Sequence, residues 1–253
     1  MERDALDIDL NCDLGEGAGT DDELLSLATS ANISCGGHAG DETAIRAALK
    51  IARDRGVVVG AHPGYADREH FGRRELDLDE AAIHELCVSQ VNRLRDWADA
   101  VGATIRYLKP HGALYNQACR DDRFARPVIA AARTLGLPLL ALPGSRLEAL
   151  ALDCGSAGSG SAGASPSQAS STGFFREGFA DRRYLPDGSL VPRTRPDAFV
   201  TDPEEAVAQV RRLIEACGIQ SLCVHGDHPE AVAFTRRLRE ALVQQGFRLR
   251  GFA

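Results

Sequence analysis

The chain lacks a basic excess: 29 Lys and Arg stand against 36 Asp and Glu, for a formal net charge of -7 over 253 residues. Nucleic acid and anionic membrane surfaces are polyanions, and this balance offers neither of them an electrostatic footprint. A small anionic substrate stays open, because a local Arg cluster can oppose the global sign. No apolar run approaches the ~18 residues of a membrane span, and no apolar leader precedes the first charged residues. The cysteines are odd in number and scattered (Cys12, Cys35, Cys87, Cys119, Cys154, Cys217 and Cys223), with no CxxC pair. This argues against a disulfide framework or a structural zinc site and for a reducing cytoplasm. A GxxxxGK[ST] phosphate loop is absent, as are HExxH and HxxxH pairs. The formal GxGxxG match "GSGSAG" lies in the Gly/Ala/Ser-rich segment 155–173, with no strand leading into it and no amphipathic helix after it. Composition alone generates such a match, so it is not a dinucleotide fingerprint. The segment itself reads as a flexible surface loop.

What is present is an ordinary hydrophobic fraction, 44%, arranged as short apolar runs alternating with longer helical patterns. That alternation predicts βα units around a parallel sheet, either one barrel or two smaller domains. Strands are expected at 7–11, 31–34, 57–61, 105–109, 137–142, 174–180, 221–225 and 247–251. Helices are expected at 22–29, 42–55, 79–101, 121–135, 203–217 and 228–245. In the helix at 79–101, Asp79 is the expected N-cap and Gly102 the stop, with Ala82, Leu86, Val91, Leu94 and Trp97 sharing a face.

The apolar runs end abruptly on polar residues: "NCDLGEG", "CGGHAGD", "HPGYADREHFGRR", "KPHGALYN", "DRRY" and "HGDHP". In a parallel α/β fold these segments gather at the carboxyl edge of the strands, where such folds build active sites. Five of the seven histidines (His38, His62, His111, His225 and His228) fall there. His84 lies within a helix, and His70 could belong to either class. Any one strand-end histidine could simply bond a loop carbonyl; the set points to a shared pocket. Asp13 and Glu16 suit general acid/base work or water orientation, with helix capping as the alternative, stronger for Glu16. Lys109, at a strand end, would carry positive charge towards a substrate oxygen. Arg73 and Arg74 could clamp a carboxylate. Asp13, His38, His62 and His225 are candidate ligands for a divalent metal.

The motifs "DLNCDLGEG", "SANISCGGHAGD", "GAHPGY" with "FGRR", "LKPHGALYN", "GFADRRY" with "GSLVPR", and "CVHGDHP" resemble, in order and spacing, the LamB/YcsF family. The resemblance runs from Asp9 to the end of the chain. It implies a single seven-stranded (β/α) barrel domain over 1–253, similar to the polysaccharide-deacetylase class. It also implies a part in the ATP-dependent opening of 5-oxoproline to L-glutamate alongside two other subunits. Site residues carried over by the resemblance are Asn11, Asp13, Glu16, His38, Asp41, His62, Arg73, Lys109, His111, Asp181 and Asp227. Asp13, Lys109 and His111 take the expected catalytic roles, and the others the expected substrate-binding roles. Since the chain has no phosphate loop, ATP use would involve a partner subunit. Gly37 stands where the family has a phenylalanine, and Gly64 with Ala66 replaces its "SYPD" wording, changes expected to widen the pocket. Two rivals remain open on the residues: a metal-dependent amidase or deacetylase acting alone, and a regulatory subunit that binds a small molecule.

Overall fold

The computed structural model describes residues 6–156, 173–226 and 230–252. Seven strands pair in parallel in chain order: β1 (Leu6–Leu14), β2 (Ser30–Ser34), β3 (Val58–His62), β4 (Ile105–Leu108), β5 (Leu139–Ala141), β6 (Phe174–Phe179) and β7 (Ser221–His225). β7 pairs with β1 from Asp9↔Ser221 to Asp13↔His225, which closes the barrel. β8 (Phe247–Leu249) pairs only with Leu6 to Ile8 at the start of β1. The helices are α1 (Asp21–Leu25), α2 (Glu42–Arg55), α3 (Glu80–Val101), α4 (Gly112–Arg120), α5 (Asp122–Leu135), α6 (Arg146–Ser156), α7 (Pro203–Cys217) and α8 (Ala231–Gln244). Among the described residues no helix is long and apolar enough to cross a membrane.

Local chemistry sets the boundaries. Asp41, Asp79 and Asp202 each accept a backbone N–H at the start of a helix, and Gly56, Gly102 and Gly218 end helices in the left-handed region. In α3 the buried residues are Ile83, Cys87, Gln90, Val91, Leu94 and Ala98. Ala82 is exposed, and Leu86 and Trp97 pack only partly, so the buried stripe is rotated from the expected face. Two helices go beyond the sequence expectation. α4 begins inside the "LKPHGALYN" stretch, and α6 fills the connection after β5. Asp121 separates α4 from α5 by turning extended and accepting from Arg123 N–H. Most of the expected flexible segment, 157–172, lies outside the described residues, as do Asp227 and His228.

The barrel places its apolar residues outward. Leu10, Cys12 and Leu14 of β1 join the hydrophobic layer against the helices, while the alternate residues Asp9, Asn11 and Asp13 point inward. Their partners lie on nearby strands: Asn11 Nδ2 donates to Ser221 Oγ of β7 at 2.7 Å and to Glu177 Oε1 of β6 at 3.2 Å. Ser30 and Thr29 donate to Asp9, with Ser221 also bonded to it. Below this layer Phe252 packs on Phe175 and Tyr107 at 4.5 and 4.9 Å between ring centroids. The Tyr107 ring crosses β3 at Gly60, where a Cβ would stand 2.2 Å from it, so only glycine fits.

Candidate active site

β4 delivers Lys109 to the centre of the barrel, one residue beyond Leu108, with its side chain only 2% exposed. Its Nζ lies 2.8 Å from Glu177 Oε1, 2.9 Å from Asp13 Oδ1 and 3.1 Å from Cys223 Sγ. An ammonium has three N–H donors, and these three contacts occupy them. Burial alone would lower the lysine's proton affinity, but Asp13, Cys223 and Glu177 outweigh it and raise the pKa well above the ordinary value. Asp13 responds in kind: burial opposes its ionisation, yet Lys109, His62 and His225 hold its carboxyl well below the usual range. Burial raises Glu177, whose other oxygen accepts from Tyr115 Oη at 3.2 Å. Every hydrogen-bond partner of the Glu177 carboxyl is a donor, the environment of a carboxylate. Burial and the adjacent Asp13 push the Cys223 thiol well above its ordinary value, so it is an inert wall of the site.

Asp13 Oδ1 is spoken for by Lys109 and by Asn32 Nδ2 at 2.8 Å. Its second oxygen faces His62 Nε2 at 3.4 Å and His225 Nε2 at 3.9 Å. The outer nitrogens of these rings fix their tautomers. His62 Nδ1 donates to Lys109 O at 2.8 Å, and His225 Nδ1 bonds Asp181 Oδ2 at 2.9 Å. His111 Nε2 likewise donates to Phe71 O at 2.9 Å. With these outer nitrogens engaged, the inner nitrogens His62 Nε2 and His111 Nδ1 face each other at 3.0 Å. Burial, with His38 and His62 alongside, holds His111 well below its ordinary pKa. Two ring nitrogens thus converge where a shared proton or a cation would satisfy both. Phe71 supports the arrangement from strained backbone: at φ 55° it is the one non-glycine described residue in the left-handed region.

The sequence-predicted residues distribute as follows. Asp13, Glu16, His38, His62, Lys109, His111, His225 and Asp181 form one buried cluster over the barrel. Glu16 Oε1 accepts from His38 Nε2 at 3.0 Å and stands 3.5 Å from His111 Nδ1. The His38 ring stacks on His111 at 3.6 Å. Asn11 sits a layer deeper, its amide consumed by Ser221, Glu177 and Asn32, so it positions Glu177 and Asn32 rather than reaching the mouth. Asp41 does not join the cluster: it is exposed and caps α2 through Ala44 N–H, because the chain has already turned into the helix. Arg73 lies on the exposed rim, its guanidinium 4.7 Å from the Phe71 ring centroid. Arg74 pairs with Asp67, and so does His70. His84 bonds Thr134 Oγ1 on the outer surface. Gly37 does not widen the pocket, since the Gln90 amide fills that space, bonding Gly64 N and O at 3.1 and 2.7 Å. Glu177, Cys223 and Asn32 escaped sequence reasoning. The signal that could have found Glu177 was an acidic residue at an inward position of an aromatic strand, two residues before Phe179.

Two donor groups among the described residues are compact enough for a cation: Glu16 with His62 and His111, and Asp13 with Cys223 and His225. The predicted metal candidates divide between them. His38 joins neither, its Nε2 being committed to Glu16. Two imidazole nitrogens turned inward and a carboxylate are a donor set of the kind that holds a divalent ion.

Comparison with known proteins agrees with the fold. A 5-oxoprolinase subunit of Neisseria meningitidis serogroup C is 43% identical over 256 residues, covering 96% of this chain and 98% of the relative. The corresponding 5-oxoprolinase subunit of Methylococcus capsulatus is 42% identical over 258 residues, covering 94% and 93%. Among solved structures, the lactam utilization protein of Thermus thermophilus superposes with a TM-score of 0.84 at 36% identity, covering 98% of this chain and all of that one. A family 4 carbohydrate esterase from Streptomyces lividans shares the barrel alone, with a TM-score of 0.51 at 13% identity over 99% of this chain and 94% of that one. The family model matches residues 8–253, and the chain belongs to the LamB/YcsF family.

Proposed function

We propose that this chain is the lactam-opening subunit of an ATP-dependent 5-oxoprolinase, converting 5-oxo-L-proline to L-glutamate together with partner subunits. The observation that carries the reading is Asp13, kept ionised by buried Lys109 and presenting its second oxygen to His62 and His225. A carboxylate held so far below its usual range is a weak base, so Asp13 orients the water while an inner imidazole nitrogen takes its proton. The same imidazole then returns the proton to the leaving lactam nitrogen. Lys109 has its donors engaged and acts through Asp13, or directly on the carbonyl oxygen where that oxygen displaces the weakly accepting Cys223 thiol. A resonance-stabilised lactam resists water, and with no phosphate loop in this sequence the activation by ATP falls to the assembly with its partners.

The test is glutamate release from 5-oxoproline, with and without ATP, by the chain alone and with partner subunits. ATP-dependent release only in the assembly is expected, and Asp13→Asn should lower it by about 10²–10⁴-fold. Wild-type turnover from that variant would end the assignment.

A second reading, a metal-dependent amidase acting alone, draws on the converging ring nitrogens of His62 and His111. A divalent ion held by these residues and Glu16 would supply Lewis-acid polarisation of the amide carbonyl. A stoichiometric ion surviving dialysis, with ATP-independent amide hydrolysis, would favour it. Full turnover of the metal-stripped assembly would remove it.

A further inference from the structure

Two buried polar atoms on adjacent residues at the barrel mouth have no hydrogen-bond partner: Asp181 Oδ1, an acceptor, and Arg182 Nε, a donor. Arg182 is only 5% exposed. Its Nη2 donates to Val191 O at 2.6 Å, and its guanidinium lies 5.3 Å from the Phe199 ring centroid. Arg193 stands over the same ring at 5.6 Å. Burial, with the nearby positive charges of Arg193 and Arg73 and against the opposing charge of Asp181, lowers Arg182 to about 10. Arg73 comes from the connection after β3 and Arg182 from that after β6, strands separated by at least two others either way round the barrel. The two connections therefore approach each other over the mouth.

A structural role accounts for part of this. The Nη2 bond and the Arg182↔Phe199 bridge tie down the excursion between β6 and α7. It does not account for a buried Nε–H left without an acceptor on the residue after a buried carboxylate oxygen left without a donor, each of which costs stability until a ligand pairs it. Asp181 is already anchored, its other oxygen holding His225.

We infer that Arg182, supported by Arg193 and Arg73, is the carboxylate-recognition residue of the site, with Asp181 Oδ1 accepting the neighbouring ring N–H of the same substrate. In 5-oxoproline the carboxylate and the lactam N–H are attached to one carbon, which matches a donor and an acceptor on consecutive residues. The assignment rests on the lactam reading and moves primary carboxylate recognition from exposed Arg73 to buried Arg182. It makes the site selective for lactam acids over neutral lactams.

The experiment is a calorimetric titration of the full chain with 5-oxo-L-proline, 2-pyrrolidinone (no carboxylate) and cyclopentanecarboxylate (no lactam), for wild type, Arg182→Lys and Arg182→Gln. Wild type should bind 5-oxoproline at least tenfold more tightly than 2-pyrrolidinone. Arg182→Gln should abolish that preference by weakening the acid alone, with Arg182→Lys intermediate. Equal binding of acid and neutral lactam by wild type, or an unchanged ratio in Arg182→Gln, would overturn the proposal. The wild-type ratio decides the point if the Gln variant fails to fold. Arg182-dependent binding of cyclopentanecarboxylate as tight as that of 5-oxoproline would keep the anion subsite and remove the lactam reading. Binding of neither acid would remove the subsite.

Discussion

Replacing Lys109 with methionine removes the one cation between two buried carboxylates while keeping a side chain of similar length. Asp13 and Glu177 are 7% and 0% exposed, and each lies within 2.9 Å of the ammonium. Deleting one partner of a buried pair costs about 3–5 kcal/mol, because the remaining charge keeps its desolvation penalty. In a domain of this size each kcal/mol shifts Tm by about 2–4 °C, so a fall of about 6–20 °C is expected. The pH dependence gives an independent check. In the wild type the depressed Asp13 pKa contributes stability above the unfolded value, lost as pH falls through the folded value. In Lys109→Met Asp13 loses that support and Glu177, already raised by burial, rises further, so the stability cost of both appears as pH rises. The gap between the proteins narrows on acidification, through the second effect first and through the first only below the unfolded Asp value of 3.8. Urea unfolding followed by circular dichroism between about pH 5 and 8 measures it. Adding Glu177→Gln should restore about 2 kcal/mol by removing the second uncompensated charge, without restoring turnover. A Lys109→Met protein as stable as wild type at neutral pH, or no recovery in the double variant, would refute the charge-clamp argument.

At the base of the barrel, burial raises Asp9 to about 6 despite its bonds to Ser221, Thr29 and Ser30. A raised acid contributes stability below its unfolded value of 3.8, lost as pH rises through about 6. Stability should therefore decline across that window, and Asp9→Asn should flatten the profile of urea midpoints. A Cβ at Gly37 would fall 2.6 Å from Gln90 Nε2. Gly37→Ala is thus expected to cost about 1–3 kcal/mol by expelling an amide that bonds Gly64 at both ends. Removing the obstacle with Gln90→Ala should make the second change at Gly37 nearly neutral in thermal melts, and additive losses would exclude this contact as the cause.

The site was legible because the pattern behind it is local. In "DIDLNCDL" the polar residues recur at every second position, and period-2 alternation sends Asp9, Asn11 and Asp13 to one face. What alternation leaves undetermined is which face is the core. A parallel barrel strand is expected to be apolar on both sides, and here only the outer face meets apolar helices. Glu177 was overlooked for that reason: beside phenylalanines it resembles a strand-edge charge, and only closure of the barrel places it against Lys109. Asp41 caps α2, and since one residue type caps helices and serves active sites, sequence spacing does not separate the two uses. α4 was missed because a nine-residue helix directly abutting a second one gives no distinct loop signal.

The polar interior also constrains which substitutions the site tolerates. Lys109, Asp13, Asn32, Asn11, Glu177, Ser221 and Asp9 form a continuous chain of bonds from the mouth to the base of the barrel. Each member satisfies the next, so a buried network of this kind is stable only when complete. Asn11 illustrates the consequence. Its amide donates to Ser221 and Glu177 and its carbonyl oxygen accepts from Asn32, so a change there would reorient the groups that hold Asp13 and Lys109 without touching the mouth. A residue buried one layer below the chemistry can therefore be as restricted as a catalytic one. The barrel acts less as a container for the site than as the lower half of its electrostatics.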